Sequence, residues 1–266
     1  MARTQIIAEV GANHGGDVEL AIKMIEAAAQ AGADWVKFQS WQAKNLKPGD
    51  PNFERHANAE LSDEAHHQLI RACNVNHIKF LTTCFDIGRI EFLAGLGLNT
   101  IKIASPDLGS HTMIRKLRER FEHLIISTGM SYDEEIQQTA ELLGKTSYTF
   151  LHCLSLYPTP LERVNLARME WLRQFTPSVG FSDHTLGTAA GKLAIAKGAV
   201  YLEKHFTLSR ELPGKDQAIS AEPYEIHELA DYAVQVERMI GEPHPRLSKQ
   251  EMDLRKIYIG KWGDNR

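Results

Sequence analysis

The stretch Gln5-Ile-Ile-Ala-Glu-Val-Gly-Ala-Asn-His-Gly-Gly-Asp-Val-Glu-Leu-Ala-Ile-Lys-Met-Ile-Glu-Ala-Ala-Ala-Gln30 decides the fold. Residues 6–10 are a short apolar run with the length and β-branched content of a buried strand. From Val18 onward, Leu20, Met24 and Ala27/Ala28 recur at helical spacing, so a helix follows the strand. The loop between them, Gly11-Ala-Asn-His-Gly-Gly16, does not match the Gly-x-Gly-x-x-Gly turn expected after the first strand of a doubly wound, dinucleotide-binding sheet. A closed barrel is the architecture left for a chain that repeats this unit.

The unit does repeat. Apolar β-prone runs follow at 35–38, 79–82, 100–103, 123–126, 148–151, 178–181 and 200–202. Helical patterns lie between and after them, at 63–74, 88–95, 111–120, 133–143, 161–174, 188–197 and 224–240, with Ser62 and Asp133 as expected N-caps. Eight strands, each followed by a helix, predict an α/β chain folded as a (β/α)₈ TIM barrel. The strands lack strict alternation, as expected when both faces of a parallel sheet are covered. We assign residues 1–240 to the barrel. Residues 241–266 form a tail that is Pro-interrupted, then basic and amphipathic through Leu254, Ile257, Tyr258 and Ile259, and it is expected to dock on the barrel or on a partner.

Composition narrows the function classes. The 266 residues are 43% hydrophobic and 24% charged, enough to bury a full core. A formal net charge of -4 argues against general nucleic-acid binding, which needs surplus positive charge. No apolar run is long enough to span a membrane, and Glu9 interrupts the N-terminal apolar stretch too early for a signal peptide. Three widely spaced cysteines, Cys73, Cys84 and Cys153, indicate neither a disulfide framework nor a Cys-x-x-Cys metal site. A cytoplasmic protein is expected.

Barrel active sites lie where the C-terminal strand ends converge. Glu9 sits in an apolar run, where an unpaired carboxylate would cost several kcal/mol, so it either pairs with a barrel lysine or serves a pocket. Lys37 and Lys102 stand inside or at the end of apolar strands and call for an anion, either Glu9 or a phosphate ligand. Ser105, Ser127, Ser155 and Ser182 follow strands four to seven as an arc of donors suited to a phosphate or carboxylate. His184 and His205 end adjacent strands about 4.8 Å apart, close enough to clamp one metal ion and leave positions for water and substrate. His14 and His152 are candidates for a third ligand or for pocket hydrogen bonds. The other eight of the twelve histidines, His244 among them, read as surface or packing residues.

Six strings then carry a resemblance, in order: Ile7-Ala-Glu-Val-Gly-Ala-Asn-His14, Gly32-Ala-Asp-Trp-Val-Lys-Phe-Gln39, Ile125-Ile-Ser-Thr-Gly-Met130, Leu151-His-Cys-Leu-Ser-Leu-Tyr-Pro-Thr-Pro160, Gly180-Phe-Ser-Asp-His-Thr185 and Leu202-Glu-Lys-His-Phe-Thr207. The chain resembles the catalytic barrel of the sialic acid synthase family, N-acetylneuraminate synthase and its legionaminate and pseudaminate relatives. That resemblance implies condensation of phosphoenolpyruvate with an open-chain amino sugar, giving a nonulosonate keto acid and phosphate, for capsule or lipopolysaccharide biosynthesis. It implies that His184 and His205 hold a divalent metal, Mn²⁺ or Mg²⁺. It implies that Lys102, Ser105, Ser127, Ser155 and Ser182 meet phosphoenolpyruvate. Lys37, Gln39, Thr83, Tyr157 and Asp216 fall on the sugar side, and Glu9 and Asp107 join the histidines as catalytic groups.

The chain also departs from the family pattern. Ala104-Ser-Pro-Asp107 stands where Gly-Ser-Gly-Glu is usual, Ser155 replaces an asparagine and Cys84 a proline. Family members usually continue into a small antifreeze-like C-terminal domain that lends an arginine to a partner's sugar pocket. Arg255 and Arg266 lie in no matching motif, so that role is not carried onto them. A homodimer, or a separately supplied antifreeze-like domain, is the partner the resemblance suggests. Two alternatives stay open: a phosphoenolpyruvate- or sugar-binding homologue without chemistry, and a Schiff-base aldolase using Lys102 or Lys204.

Overall fold

The computed structural model describes residues 2–242 and 246–263. Strands β1 (Gln5–Glu9), β2 (Trp35–Ser40), β3 (Lys79–Cys84), β4 (Thr100–Ile103), β5 (His123–Ser127), β6 (Ser147–Cys153), β7 (Val179–Asp183) and β8 (Tyr201–His205) each pair in parallel with the next. β8 closes on β1 to complete the barrel. The helices outside it are α1 (Val18–Gln30), α2 (Phe53–Asn58), α3 (Asp63–Val75), α4 (Ile90–Gly95), α5 (His111–Arg120), α6 (Asp133–Leu143), α7 (Arg168–Leu172), α8 (Ala189–Ala196) and α9 (Pro223–Ile240). A last helix, α10 (Lys249–Tyr258), follows in the tail.

Side-chain alternation gives the barrel two unlike surfaces. Outward positions such as Ile6, Phe38, Phe80, Ile101 and Phe150 pack with the helices in one continuous core. Inward positions form layers. Ile7, Leu81, Ile125, Leu151 and Tyr201 fill the middle and seal the barrel below the polar strand ends. Gly180 makes this layer fit, because a Cβ there would lie 2.4 Å from the Tyr201 carbonyl oxygen and 2.6 Å from Leu151 Cδ2. Outside, α1 is capped by Asp17, which accepts from Leu20 N, and buries Ala21, Met24, Ile25 and Ala28. Burying Met24 and Ile25 contributes roughly 1.5–3 kcal/mol each. The buried face is turned slightly from the expected one, leaving Leu20 and Ala27 half-buried at its edge.

Several expected boundaries move. Most strands run one to three residues further toward their C-termini than their apolar runs, so Gln39, Thr83, Ser127, Cys153, Ser182 and His205 are ladder residues and not loop residues. The helix expected at 161–174 is instead a 3₁₀ turn at Leu161–Arg163 followed by the short α7, with Asn165 at φ 47° breaking the run. Ser62 caps α3 as expected, whereas Asp133 is the first residue of α6 and Tyr132 holds the cap position, its N–H donating to Glu135. α2 was not anticipated, and it buries none of its residues. α10 likewise buries none of its own residues, so the tail does not dock on the barrel through this helix. All three cysteines are free and buried. Among the described residues no helix is long and apolar enough to cross a membrane. His244 and Arg266 lie outside the described residues.

Candidate active site

Strand register places the inward polar groups beside one another. Glu9 pairs across the ladder with Lys37 and with His205, Thr83 with Lys102, and Ser182 with both Cys153 and Glu203. Glu9 Oε2 lies 2.8 Å from Lys37 Nζ, and its Oε1 accepts from Gln39 Nε2 at 2.7 Å. Lys37 also donates to Thr83 Oγ1 at 2.9 Å and stands 3.6 Å from Glu203 Oε2. Lys102 donates to Ser127 Oγ at 2.7 Å and lies 3.7 Å from Glu203 Oε1, which accepts from Ser182 Oγ at 2.9 Å. Glu203 is therefore held between two lysines at the centre of the mouth.

Burial and charge act against each other here. Burial pushes the Glu203 carboxyl up, but Lys102, Lys37 and the Ser182 hydroxyl outweigh it and hold the group at about 2. Glu9 goes the other way: burial raises it, Lys37 offsets only part of that, and the Glu203 charge adds to the rise. Burial would lower Lys37, yet Glu203 and Glu9 together raise it. Burial lowers Lys102, Glu203 offsets only part of that, and the Lys37 charge adds to the fall. Two carboxylates and two lysines sum to no net charge before any ligand arrives.

Beside this cluster lies a cradle of donors. Ser105 Oγ accepts from Gly129 N at 3.1 Å. A Cβ on Gly129 would stand 2.6 Å from Ser155 Oγ and 2.8 Å from Ser105 Oγ, so glycine lets these two hydroxyls converge. On the far side the His184 and His205 rings face each other with centroids 5.6 Å apart. His184 Nδ1 lies 2.7 Å from the Leu154 carbonyl oxygen. That oxygen only accepts, so Nδ1 carries a proton, and in the neutral ring the lone pair is left on Nε2. Burial opposes the charged form of His184, but the Cys153 thiol and the Leu154 carbonyl raise it. Burial pushes His205 down to about 3, and its Nδ1 is buried without a hydrogen-bond partner. The Tyr157 ring covers His184 at 4.1 Å between centroids.

These groups line an inner pocket of about 260 Å³ with Phe85, Pro106 and Met130 as its apolar wall. Gln39, Phe85 and Pro106 also line an outer cleft of about 1220 Å³. The candidate catalytic, phosphoenolpyruvate-side, sugar-side and metal residues named from sequence line the inner pocket, except Asp107 and Asp216. Asp107 faces the outer cleft, held loosely by Ser110 Oγ at 3.3 Å, and burial raises its carboxyl. Asp216 lines a side recess and pairs with Arg55 at 2.6 Å. His14 and His152 do not line the pocket: His14 accepts from Gly16 N at 3.0 Å, and His152 bonds the Val164 carbonyl oxygen at 2.7 Å. His56 and His111, expected on the surface or in packing, line the outer cleft.

Sequence reasoning missed Glu203 and Cys153, although alternation could have found Glu203. Residues i and i+2 of a strand share a face, so an inward His205 implies an inward Glu203. The same rule sends Lys204 outward, where it lies 2.8 Å from Asp183 and donates to the Thr185 carbonyl oxygen at 2.7 Å. Lys204 is thereby removed as a Schiff-base candidate.

Comparison with known proteins agrees with the barrel architecture. The NeuB family matches residues 24–245. N,N'-diacetyllegionaminic acid synthase of Campylobacter jejuni is 38% identical over 98% of this chain and 86% of its own length. Human N-acetylneuraminate-9-phosphate synthase is 32% identical over 93% of this chain and 74% of its own. The crystal structure of N-acetylneuraminic acid (sialic acid) synthetase from Leptospira borgpetersenii, in complex with citrate, superposes with a TM-score of 0.90 at 31% identity, covering 96% of this chain and 91% of that one. Two 3-deoxy-D-arabino-heptulosonate 7-phosphate synthase structures from Thermotoga maritima, at 13% identity, share the fold alone. With the family matched along most of its length and the same barrel in a sialic acid synthetase, the chain belongs to the NeuB family.

Proposed function

We propose that the inner pocket binds phosphoenolpyruvate and joins it to the aldehyde of an open-chain amino sugar, giving a nonulosonate keto acid and inorganic phosphate. One observation carries this reading: two lysines, the Ser105/Gly129/Ser155 cradle and two facing histidines converge in a single buried pocket. Ser105, Ser127, Ser155, Ser182 and Lys102 hold the enol phosphate, while Lys37, Gln39, Thr83 and Tyr157 stand toward the sugar. Asp107 and Asp216 approach the sugar from the outer cleft and its side recess. The names of the family relatives support the substrate class.

A divalent ion, Mn²⁺ or Mg²⁺, fits the two histidines. His184 is buried and His205 half-buried, the neutral His184 ring has its lone pair on Nε2, and the buried His205 Nδ1 lacks a partner. Among the described residues no group of three or more His, Cys, Asp or Glu has metal-binding geometry, so water and substrate would complete the coordination. Charge points the same way. Phosphoenolpyruvate brings about two negative charges on its phosphate and one on its carboxylate to a pocket whose charges already cancel. When bound, the ion supplies Lewis-acid polarisation of the sugar aldehyde.

The residues do the remaining work. The cradle and Lys102 fix the enol so that its C3 faces the aldehyde carbon. As the new C–C bond forms, the aldehyde C=O opens to an alkoxide and positive charge is left at C2. Water adds at C2 and its proton passes to Glu9, whose raised affinity for a proton suits a base. The tetrahedral carbon then expels phosphate with its bridging oxygen, while its hydroxyl gives up its proton to the departing phosphate and becomes the keto group. The proton held by Glu9 passes to the alkoxide. Incubation with phosphoenolpyruvate, Mn²⁺ and a panel of N-acylated hexosamines should release phosphate and keto acid in equal amounts. No turnover with any sugar, despite bound metal, would overturn the proposal. A cytoplasmic homodimer feeding capsule or lipopolysaccharide synthesis completes the reading.

A further inference from the structure

The outer cleft bears on which sugar enters, an inference that rests on the synthase reading and deepens it. Through Gln39, Phe85 and Pro106 the cleft is continuous with the inner pocket, so the body of a sugar whose aldehyde reaches the histidines extends into it. Its charged lining is three carboxylates, Asp50, Asp86 and Asp107, against one ammonium, Lys47. Among the described residues no arginine lines it. Asp86 is fixed in place: its Oδ2 accepts from Asn45 Nδ2 at 2.6 Å and its Oδ1 from Gly88 N at 2.8 Å. Asp50 accepts from Asn52 N at 2.7 Å. All three donors are neutral, so among the described residues both negative charges are left without a paired cation. Even with Asp107 discounted, two carboxylates outweigh Lys47.

The side recess does not alter the balance. Its one guanidinium, Arg55, is already paired with Asp216 at 2.6 Å. A phosphate group on the sugar would enter a cleft of its own sign, with no bidentate donor to receive it. The uncharged lining is of a different kind: Trp41, Leu46, Phe85, Ile87 and Met113 offer apolar surface, and Asn45 and Gln42 offer amide groups. Such a surface suits acyl methyls and hydroxyls. We propose that this chain takes an uncharged, N-acylated amino sugar and discriminates against sugar phosphates, through the Asp50–Asp86–Asp107 wall of the outer cleft.

The test uses the full chain with phosphoenolpyruvate and Mn²⁺, and offers a panel of N-acetylhexosamines, each as the free aldose and as its 6-phosphate. Keto acid is measured at low salt and at about 0.5 M salt, where screening shortens the reach of exposed charges. The free sugars are expected to be used with at least about tenfold higher kcat/KM than their phosphates, a gap that narrows at high salt. Asp50→Asn should narrow the gap further by raising kcat/KM for the phosphate; should that variant fold poorly, the salt series alone decides. Equal or better use of the phosphates overturns the substrate class while leaving the synthase reading intact. A gap indifferent to salt overturns its electrostatic origin. No condensation with either form overturns the synthase reading, and this inference with it.

Discussion

The inner pocket and the outer cleft share three residues yet are built by opposite rules. The inner pocket is made of strand ends, with Glu9, Lys37, Lys102 and Glu203 held in a ladder, nearly sealed from solvent and paired in charge. The outer cleft is made of loops after β2, β3 and β4, is open, and carries unbalanced carboxylates. Rigid paired charges suit a chemical step that must be the same for every substrate. Loops on a fixed frame suit the choice of substrate, because they can change without disturbing the ladder. Substitutions in the two regions should therefore fail differently, the inner ones in turnover and the outer ones in sugar recognition.

The largest effect should come from His184→Ala, which removes one ring nitrogen facing the aldehyde. A loss of about 10³-fold in kcat is expected, with a melting temperature lower by only a few degrees, from the lost hydrogen bond to the Leu154 carbonyl. Unchanged turnover with Mn²⁺ present would break the distinction between the regions. Lys102→Met comes next. It removes the buried donor to Ser127 and a cation beside Glu203, and should cost about a hundredfold in kcat/KM for phosphoenolpyruvate. KM for the sugar should change little. Gly129→Ala sharpens the comparison further, because its Cβ would wedge between Ser105 and Ser155. KM for phosphoenolpyruvate should rise about tenfold, from a shift of about 1.4 kcal/mol, while steady-state kinetics show the sugar KM unmoved. Asp107→Asn should have the smallest effect and the reverse pattern. Several-fold changes are expected in the sugar KM, about the worth of one hydrogen bond, with phosphoenolpyruvate binding intact. An Asp107→Asn enzyme impaired chiefly in phosphoenolpyruvate binding would erase the boundary between the two regions.

The sequence showed the inner region far better than the outer one, for a physical reason. Strands announce themselves as apolar runs, and a lysine or glutamate interrupting such a run has few harmless explanations. Glu9, Lys37 and Lys102 stood out on that ground, and the eight runs between helical patterns yielded the barrel. The same reliance on apolar runs ended the strands too early, because ladder bonds continue through Ser127 and Glu203–His205 after hydrophobicity stops. Glu203 was overlooked for that reason. The helix expected at 161–174 shows the opposite error, since apolar spacing cannot register a backbone break at Asn165. The outer cleft had no such signal. Asp50, Asp86 and Asp107 are ordinary loop aspartates until the fold brings three loops together, and nothing in their local sequence says that they share one wall.

The central claim is a condensation in which phosphate leaves from carbon. Phosphoenolpyruvate labelled with heavy oxygen at its bridging position tests this most directly, in a reaction with Mn²⁺ and a turned-over amino sugar analysed by mass spectrometry. Our account predicts that the label appears in inorganic phosphate and that its release depends on the sugar. Label retained in pyruvate or in the keto acid would mean cleavage at phosphorus, and would contradict the proposed chemistry.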